Sequence, residues 1–342
     1  MRYVPYGPGL EQLPNVIVDG RGNEATVLVL SHWPRNRTPP ELKADSSTEI
    51  VLNYLRSPQR EALRQGAEAV SNNHYDVDGL MSVWAMLNPE AVRREAEAEL
   101  LVAIGECGDF DRWSGEQATK VTCALYGLER VRSSPIRRGL GDIRDYLERT
   151  AFLYEQTLPL VPQLLDDIAR FEEYWRDEYA RVEAGRELFA RGEATVQEVA
   201  ELDLAVFSLP HEVHDMALYE QTQCSRVALV IDEHRYQARY RYESWVELQS
   251  RTPPPRIDLR PFADLLQSFE GNPGDWAADD VRRSLPRLRL RGPEGGTSPS
   301  SITPGLFVRL LASYLRDNES NQELLWSPHT ADGEYMAQLP SD

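Results

Sequence analysis

The chain has 342 residues, 41% of them hydrophobic, enough for one large domain or two ordinary ones and for a sizeable core. Acidic residues outnumber basic ones 55 to 37, a formal net charge of −18, and that balance disfavours long nucleic acid as a partner. No apolar run approaches the ~18 residues needed to cross a bilayer, and the N-terminus lacks the apolar stretch of a secretory signal. The three cysteines, Cys107, Cys123 and Cys224, form no C-x-x-C pair, which argues against a disulfide scaffold and a thiolate zinc site. These features predict a cytoplasmic protein without membrane association and leave its oligomeric state open.

The first third alternates apolar runs with helical patterns. Asn15–Val18 and Thr26–Leu30 are β-rich and separated by D-G-R-G-N, a strong turn signal. Helical spacing covers Thr48–Leu55 and Pro58–Ala69, opened by the cap residues of D-S-S-T-E. Ala69–Asn72 reads as a short strand, Leu80–Leu87 and Glu90–Glu99 as helices, and Leu100–Ile104 as a buried strand. Strand, helix, strand, helix, strand implies a parallel sheet with right-handed crossovers. From about Pro135 to Leu202 the pattern is almost all helix, interrupted near Pro159 and Pro162. Val227–Asp232 and Tyr236–Leu248 then predict antiparallel strands, Leu259–Phe269 and Pro304–Leu315 helices, and the polar tail from Asp317 a loosely held end. The fold class is therefore α/β. A parallel-sheet core domain spans residues 1–134, a helical insert 135–204, and a smaller α+β domain 205–342.

One segment carries ligand chemistry: S-N-N-H-Y-D-V-D-G-L-M-S, Ser71 to Ser82. His74, Asp76 and Asp78 alternate between a strand and a helix, and alternate residues of an extended chain share a side. One imidazole with several carboxylates suits Mn²⁺ or Mg²⁺ better than structural zinc. In open parallel sheets, sites form beyond the carboxyl ends of strands. His32 follows Thr26–Leu30, and Asp109 or Asp111 follows Leu100–Ile104, so His32, His74, Asp76, Asp78 and one of those two aspartates are expected to converge on one or two ions. Asp19 is assigned to the D-G-R-G turn as a structural residue. His211, His214 and Asp215 share a helix start and take a supporting role, lacking the H-E-x-x-H spacing of zinc proteases. Arg287, Arg289 and Arg291 alternate before a Gly/Ser loop and are expected to grip a phosphate.

H-Y-D-V-D-G-L-M-S resembles the first metal motif of the DHH phosphoesterase superfamily, His-x-Asp-x-Asp followed by Gly or Ala and a nearby Ser. C-G-D-F-D-R resembles its second motif, with Asp109 as the ligand. V-L-V-L-S-H-W-P-R-N and the following A-D-S-S-T-E-I-V-L-N-Y-L resemble its third motif and next helix. The third-motif segment precedes the first, as in a circular permutation, and Ser31-His32-Trp33 stands in place of Asp-His-His. R-Y-E-S-W-V-E-L and R-I-D-L-R-P-F-A-D-L-L resemble parts of the family's substrate domain, whereas E-G-N-P-G-D-W lacks the histidine of its glycine-histidine loop.

The resemblance implies a metal-dependent phosphoesterase that hydrolyses a small phosphorylated molecule with metal-activated water. His32 and Asp78 would act in catalysis, and the C-terminal arginines would orient the substrate. The missing histidines support an alternative, a non-catalytic ligand- or metal-binding protein on a degenerate DHH-like fold.

Overall fold

The computed structural model describes residues 1–292 and 296–329. The chain divides into two compact units, 1–182 with 248–250, and 183–247 with 251–342. The first is built on a four-stranded parallel sheet of β1 (Arg2–Tyr3), β2 (Asn15–Val18), β3 (Thr26–Leu30) and β4 (Ala69–Ser71), in the order β1-β4-β2-β3. Its helices are α1 (Ser47–Arg56), α2 (Arg60–Leu63), α3 (Val77–Leu87), α4 (Glu95–Asp109), α5 (Glu116–Arg130), α6 (Pro135–Gly139), α7 (Tyr146–Thr157) and α8 (Val161–Asp166). Helix α9 (Glu172–Ala190) contains the division between the units.

Side-chain alternation along β2 explains the layering. Val16 and Val18 enter the large core with Leu80, Met81, Leu101 and Val121, while Ile17 faces a small cluster with Leu10 and Ala69. Both faces are thus covered, as parallel sheets require. The large core also takes in Ile136, Leu140, Leu153, Tyr154, Val161, Leu164 and Phe171. The helices expected as an insert from residue 135 therefore belong, as far as Phe171, to the core of the first unit.

β2 and β3, on either side of D-G-R-G-N, pair in parallel. With strands this short, residues 19–25 suffice to carry the chain back beside its own start. Leu100–Ile104 is not a strand but the middle of α4. Leu101 and Ile104 are buried while Glu97 and Glu99 are not, a helical stripe that a five-residue window reads as a strand.

The second unit holds a six-stranded mixed sheet of β5 (Thr195–Val199), β6 (Leu204–Leu209), β7 (Arg226–Ile231), β8 (Arg235–Tyr240), β10 (Asp275–Ala278) and β11 (Arg287–Arg291), in the order β10-β11-β8-β7-β6-β5. β7 and β8 are antiparallel as expected, whereas β6 and β7 run parallel. Short α10 (Asp215–Tyr219) lies between β6 and β7, and α11 (Arg260–Phe269) and α12 (Pro304–Asp317) complete the helices. A separate pair joins β9 (Arg256–Ile257) to β12 (Leu325–Trp326). Trp326 is buried there, so the tail from Asp317 is held as far as that strand; residues 330–342 lie outside the described residues.

Candidate metal centre

The centre assembles at the carboxyl ends of β2, β3 and β4. Asp19 follows β2, His32 follows β3 by one residue, and His74 and Asp76 follow β4. Because β2 lies between β4 and β3, its terminal Asp19 sits between the other two contributions. Asp19 adopts a left-handed backbone (φ 45°), its N–H donates to Leu30 O at 2.8 Å, and its Oδ1 accepts from Ser47 Oγ at 2.7 Å.

Two helices add the remaining carboxylates. Asp78 lies in the first turn of α3, buried, and bridges to the N-terminus of α1: Ser47 N–H donates to Oδ2 at 2.7 Å and Thr48 N–H to Oδ1 at 2.9 Å. The positive end of the α1 dipole favours this charge. Asp109 comes from the last turn of α4. Helix α4 approaches so closely that a Cβ on Gly105 would lie 2.5 Å from Asp78 Oδ1, and Asp109, four residues on, projects from the same face. At Gly79 a Cβ would meet Asn72 Nδ2 at 2.4 Å and Tyr154 OH at 2.7 Å, so the turn into α3 also needs a glycine.

The donors fall into two groups sharing Asp19. Asp19, His32, Asp78 and Asp109 each offer one atom within 4.8 Å of the others, and so do Asp19, His74 and Asp76. His32 Nδ1 faces the carbonyl oxygen of Asp45 at 2.6 Å. A carbonyl only accepts, so Nδ1 carries a proton, and Nε2 faces Asp109 Oδ2 (3.2 Å) and Asp19 Oδ1 (3.5 Å). His74 Nε2 lies 2.7 Å from Asp76 Oδ2 and 3.3 Å from Asp19 Oδ2. Among the described residues, the buried atoms Asp19 Oδ2 and Asp109 Oδ2 have no hydrogen-bond partner.

The electrostatics match that crowding. Burial, with the charges of Asp76 and Asp78, pushes the Asp19 carboxyl up to about 7. Burial and three neighbouring aspartates push Asp109 well above the carboxylate range. Burial opposes charge on His74 too, yet Asp76 and Asp19 raise it well above its ordinary value. Desolvation would lift Asp76, but the charge and hydrogen bond of His74 hold it low. Four carboxylates converging on two imidazoles fit two divalent cations in charge and donor type: one nitrogen with three oxygens in the first group, one with two in the second.

His32, His74, Asp76, Asp78 and Asp109, all picked out from sequence, are therefore brought together. Asp109 arrives from a helix end instead of a strand end. Asp111 takes a left-handed turn beyond it and is not in either group. The sequence reading missed Asp19; its position after an apolar strand was the available signal, masked by the turn glycines beside it. His211 is exposed, whereas His214 caps α10 by accepting from Met216 N–H and Asp215 pairs with Arg239 at 2.7 Å, so the last two support the fold. Arg287, Arg289 and Arg291 occupy β11 of the second unit; Arg287 stands opposite Arg239, Arg289 opposite Gln237, and Arg291 pairs with Asp279.

Residues 1–324 match a described family of unknown function, DUF6687. The chain belongs to that family. No curated protein and no solved structure matches it. Among the described residues, no helix is long and apolar enough to cross a membrane.

Proposed function

We propose that this member of the family is a metal-dependent phosphoesterase acting on a small phosphorylated substrate, with Mn²⁺ or Mg²⁺ as its cofactor. The observation that carries the reading is the shared carboxylate: Asp19 belongs to both donor groups, the arrangement expected of a bridging ligand between two ions ~3.5–4 Å apart. Bound in pairs, such ions lower the pKa of water and neutralise the charge that develops on a phosphoryl group. His32 is oriented by the Asp45 carbonyl so that only Nε2 faces the cluster. Asp78 is held by the α1 N-terminus, and Ser47 fixes Asp19. The side chain of Asp76 is 34% exposed and those of Asp19 and His32 are fully buried, so substrate would approach on the Asp76 side. The resemblance of H-Y-D-V-D-G to the DHH motif supports the same reading from sequence.

The test pairs metal content with activity. Two ions per chain after loading with Mn²⁺, and Mn²⁺-dependent release of phosphate or an alcohol from a panel of small phosphomonoesters and phosphodiesters, are expected. Ion binding without turnover across that panel would favour the alternative of a non-catalytic binding protein.

A further inference from the structure

Beside the centre, within the first unit, lies a cleft of about 430 Å³ lined by Asp76, Tyr75, Tyr126, Arg130, Arg137 and Arg149, with Glu129 also in its wall. Asp76 is the one cluster residue that lines it. It is also the most exposed of them: its side chain is 34% exposed, against 8% for His74 and 4% for Asp109. The cleft thus offers a ligand a route to the donor groups at Asp76.

Its other walls are cationic in a chain of net charge −18. Arg149 is steadied by Glu129 at 3.3 Å, and Arg130 lies over the Tyr126 ring at 5.0 Å. Arg137 is exposed, and its guanidinium has no hydrogen-bond or ion-pair partner among the described residues. An arginine fork matches phosphate oxygens two at a time, and a cavity of a few hundred Å³ is the size that encloses a small ligand. Cations held by the four carboxylates at one end and three guanidiniums at the other would together select a compact anion that spans them.

We propose that this cleft is the substrate subsite of the candidate centre. It would hold a small organic phosphate carrying a second anionic group, the reacting phosphate at the Asp76 end and the second phosphate among Arg130, Arg137 and Arg149. The proposal rests on the metal-centre reading and places substrate recognition on α5, α6 and α7, where the sequence had put it on β11.

Anion binding without metal isolates the cleft. In EDTA, inorganic pyrophosphate should raise the melting temperature of the wild-type protein, and Arg137→Ala should weaken its binding about tenfold, the loss of one charge-assisted contact. Arg137 is exposed, so this variant should fold normally. Arg149→Lys keeps the charge beside Glu129 but loses the fork, and should also weaken binding. In a parallel experiment with Mn²⁺ alone, wild type and Arg137→Ala should show the same thermal shift. Wild-type affinity for pyrophosphate in both variants, or no binding by wild type, would overturn the cleft proposal while a Mn²⁺ shift left the centre standing. Pyrophosphate binding without any divalent-ion shift would instead remove the centre, and with it the role of the cleft as a substrate subsite.

Discussion

Asp109→Asn separates a metal ligand from a structural aspartate. Among the described residues Asp109 Oδ2 is buried without a hydrogen-bond partner and lies 3.2 Å from His32 Nε2, and burial together with neighbouring aspartates holds its carboxyl well above the ordinary range. The substitution removes one of four crowded charges at nearly constant volume. Asp78 is a poorer choice, since both of its oxygens accept N–H groups of α1 and an amide would turn a donor toward one of them. In the metal-free protein, Asp109 holds its proton more tightly folded than unfolded. Stability is therefore lost as pH rises from about 4 toward the raised value. The variant should lack that loss and, in EDTA at pH 8, melt at or above the wild type.

Mn²⁺ should reverse the order. At about 100 times its dissociation constant, one ion stabilises the folded state by about 2.7 kcal/mol. For an unfolding unit of roughly 150–250 residues, that raises the melting temperature by about 5–10 °C. A lost donor weakens binding by at least about ten- to hundredfold, leaving about 0.4–1.4 kcal/mol at the same Mn²⁺ concentration and a shift of about 1–5 °C. Differential scanning calorimetry of both proteins, with EDTA and with Mn²⁺, measures all four values. Equal metal shifts in the two proteins would remove Asp109 from the centre. A wild-type protein indifferent to Mn²⁺, Mg²⁺ and Zn²⁺ would refute the centre itself.

His74→Ala deletes the only imidazole of the second donor group; metal analysis of the loaded protein should fall from two ions to one, and a retained pair would disprove the division into two groups. Gly105→Val drives a side chain into Asp78 and Thr48, whose atoms lie 2.5 and 2.9 Å from an ideal Cβ; a loss of about 1–3 kcal/mol is expected in denaturant titration, together with weaker Mn²⁺ binding. In the second unit, hydrogen bonds from Ser300, Ser301 and Asn272 hold the Glu270 carboxyl at about 2 despite partial burial. A depressed carboxyl stabilises fully above its unfolded value of about 4.5 and loses that contribution as pH falls toward 2. Glu270→Gln should therefore flatten acid unfolding in that window, by about 1 kcal/mol after solvent screening.

Residues whose role is set by local spacing were legible. H-Y-D-V-D-G places its three candidate donors within one strand end and one helix start, and no distant contact is needed to see it. The strands β2, β3, β4 and β7 were legible for the same reason, each a short apolar run bounded by polar turns, whereas β8 was legible from alternation and ends at Tyr240, short of the expected Leu248, where a helical turn over Tyr242–Ser244 takes over. Leu100–Ile104 was misread because burial of every third or fourth residue in α4 overlaps, over five residues, with a buried strand. The cleft arginines were invisible as a group. Arg130, Arg137 and Arg149 come from three helices, and only packing brings them to one wall, whereas Arg287, Arg289 and Arg291 announce themselves by alternation.

Asp19 shows why a site can be half-read. Its neighbours in sequence, Gly20, Arg21 and Gly22, say turn, and the chain bends at Asp19–Gly20 and turns at Glu24–Ala25. What decides its role is the order β1-β4-β2-β3, a property of pairing that no residue near Asp19 encodes. Had β2 been an edge strand, Asp19 would have reached one neighbour; between β3 and β4 it reaches both His32 and His74. The same central position buries it completely, so its charge is untenable without a compensating cation or proton. The topology that hides Asp19 from a linear reading is therefore what makes it the carboxylate common to both donor groups, and under the proposed function any second ion in the centre would depend on it.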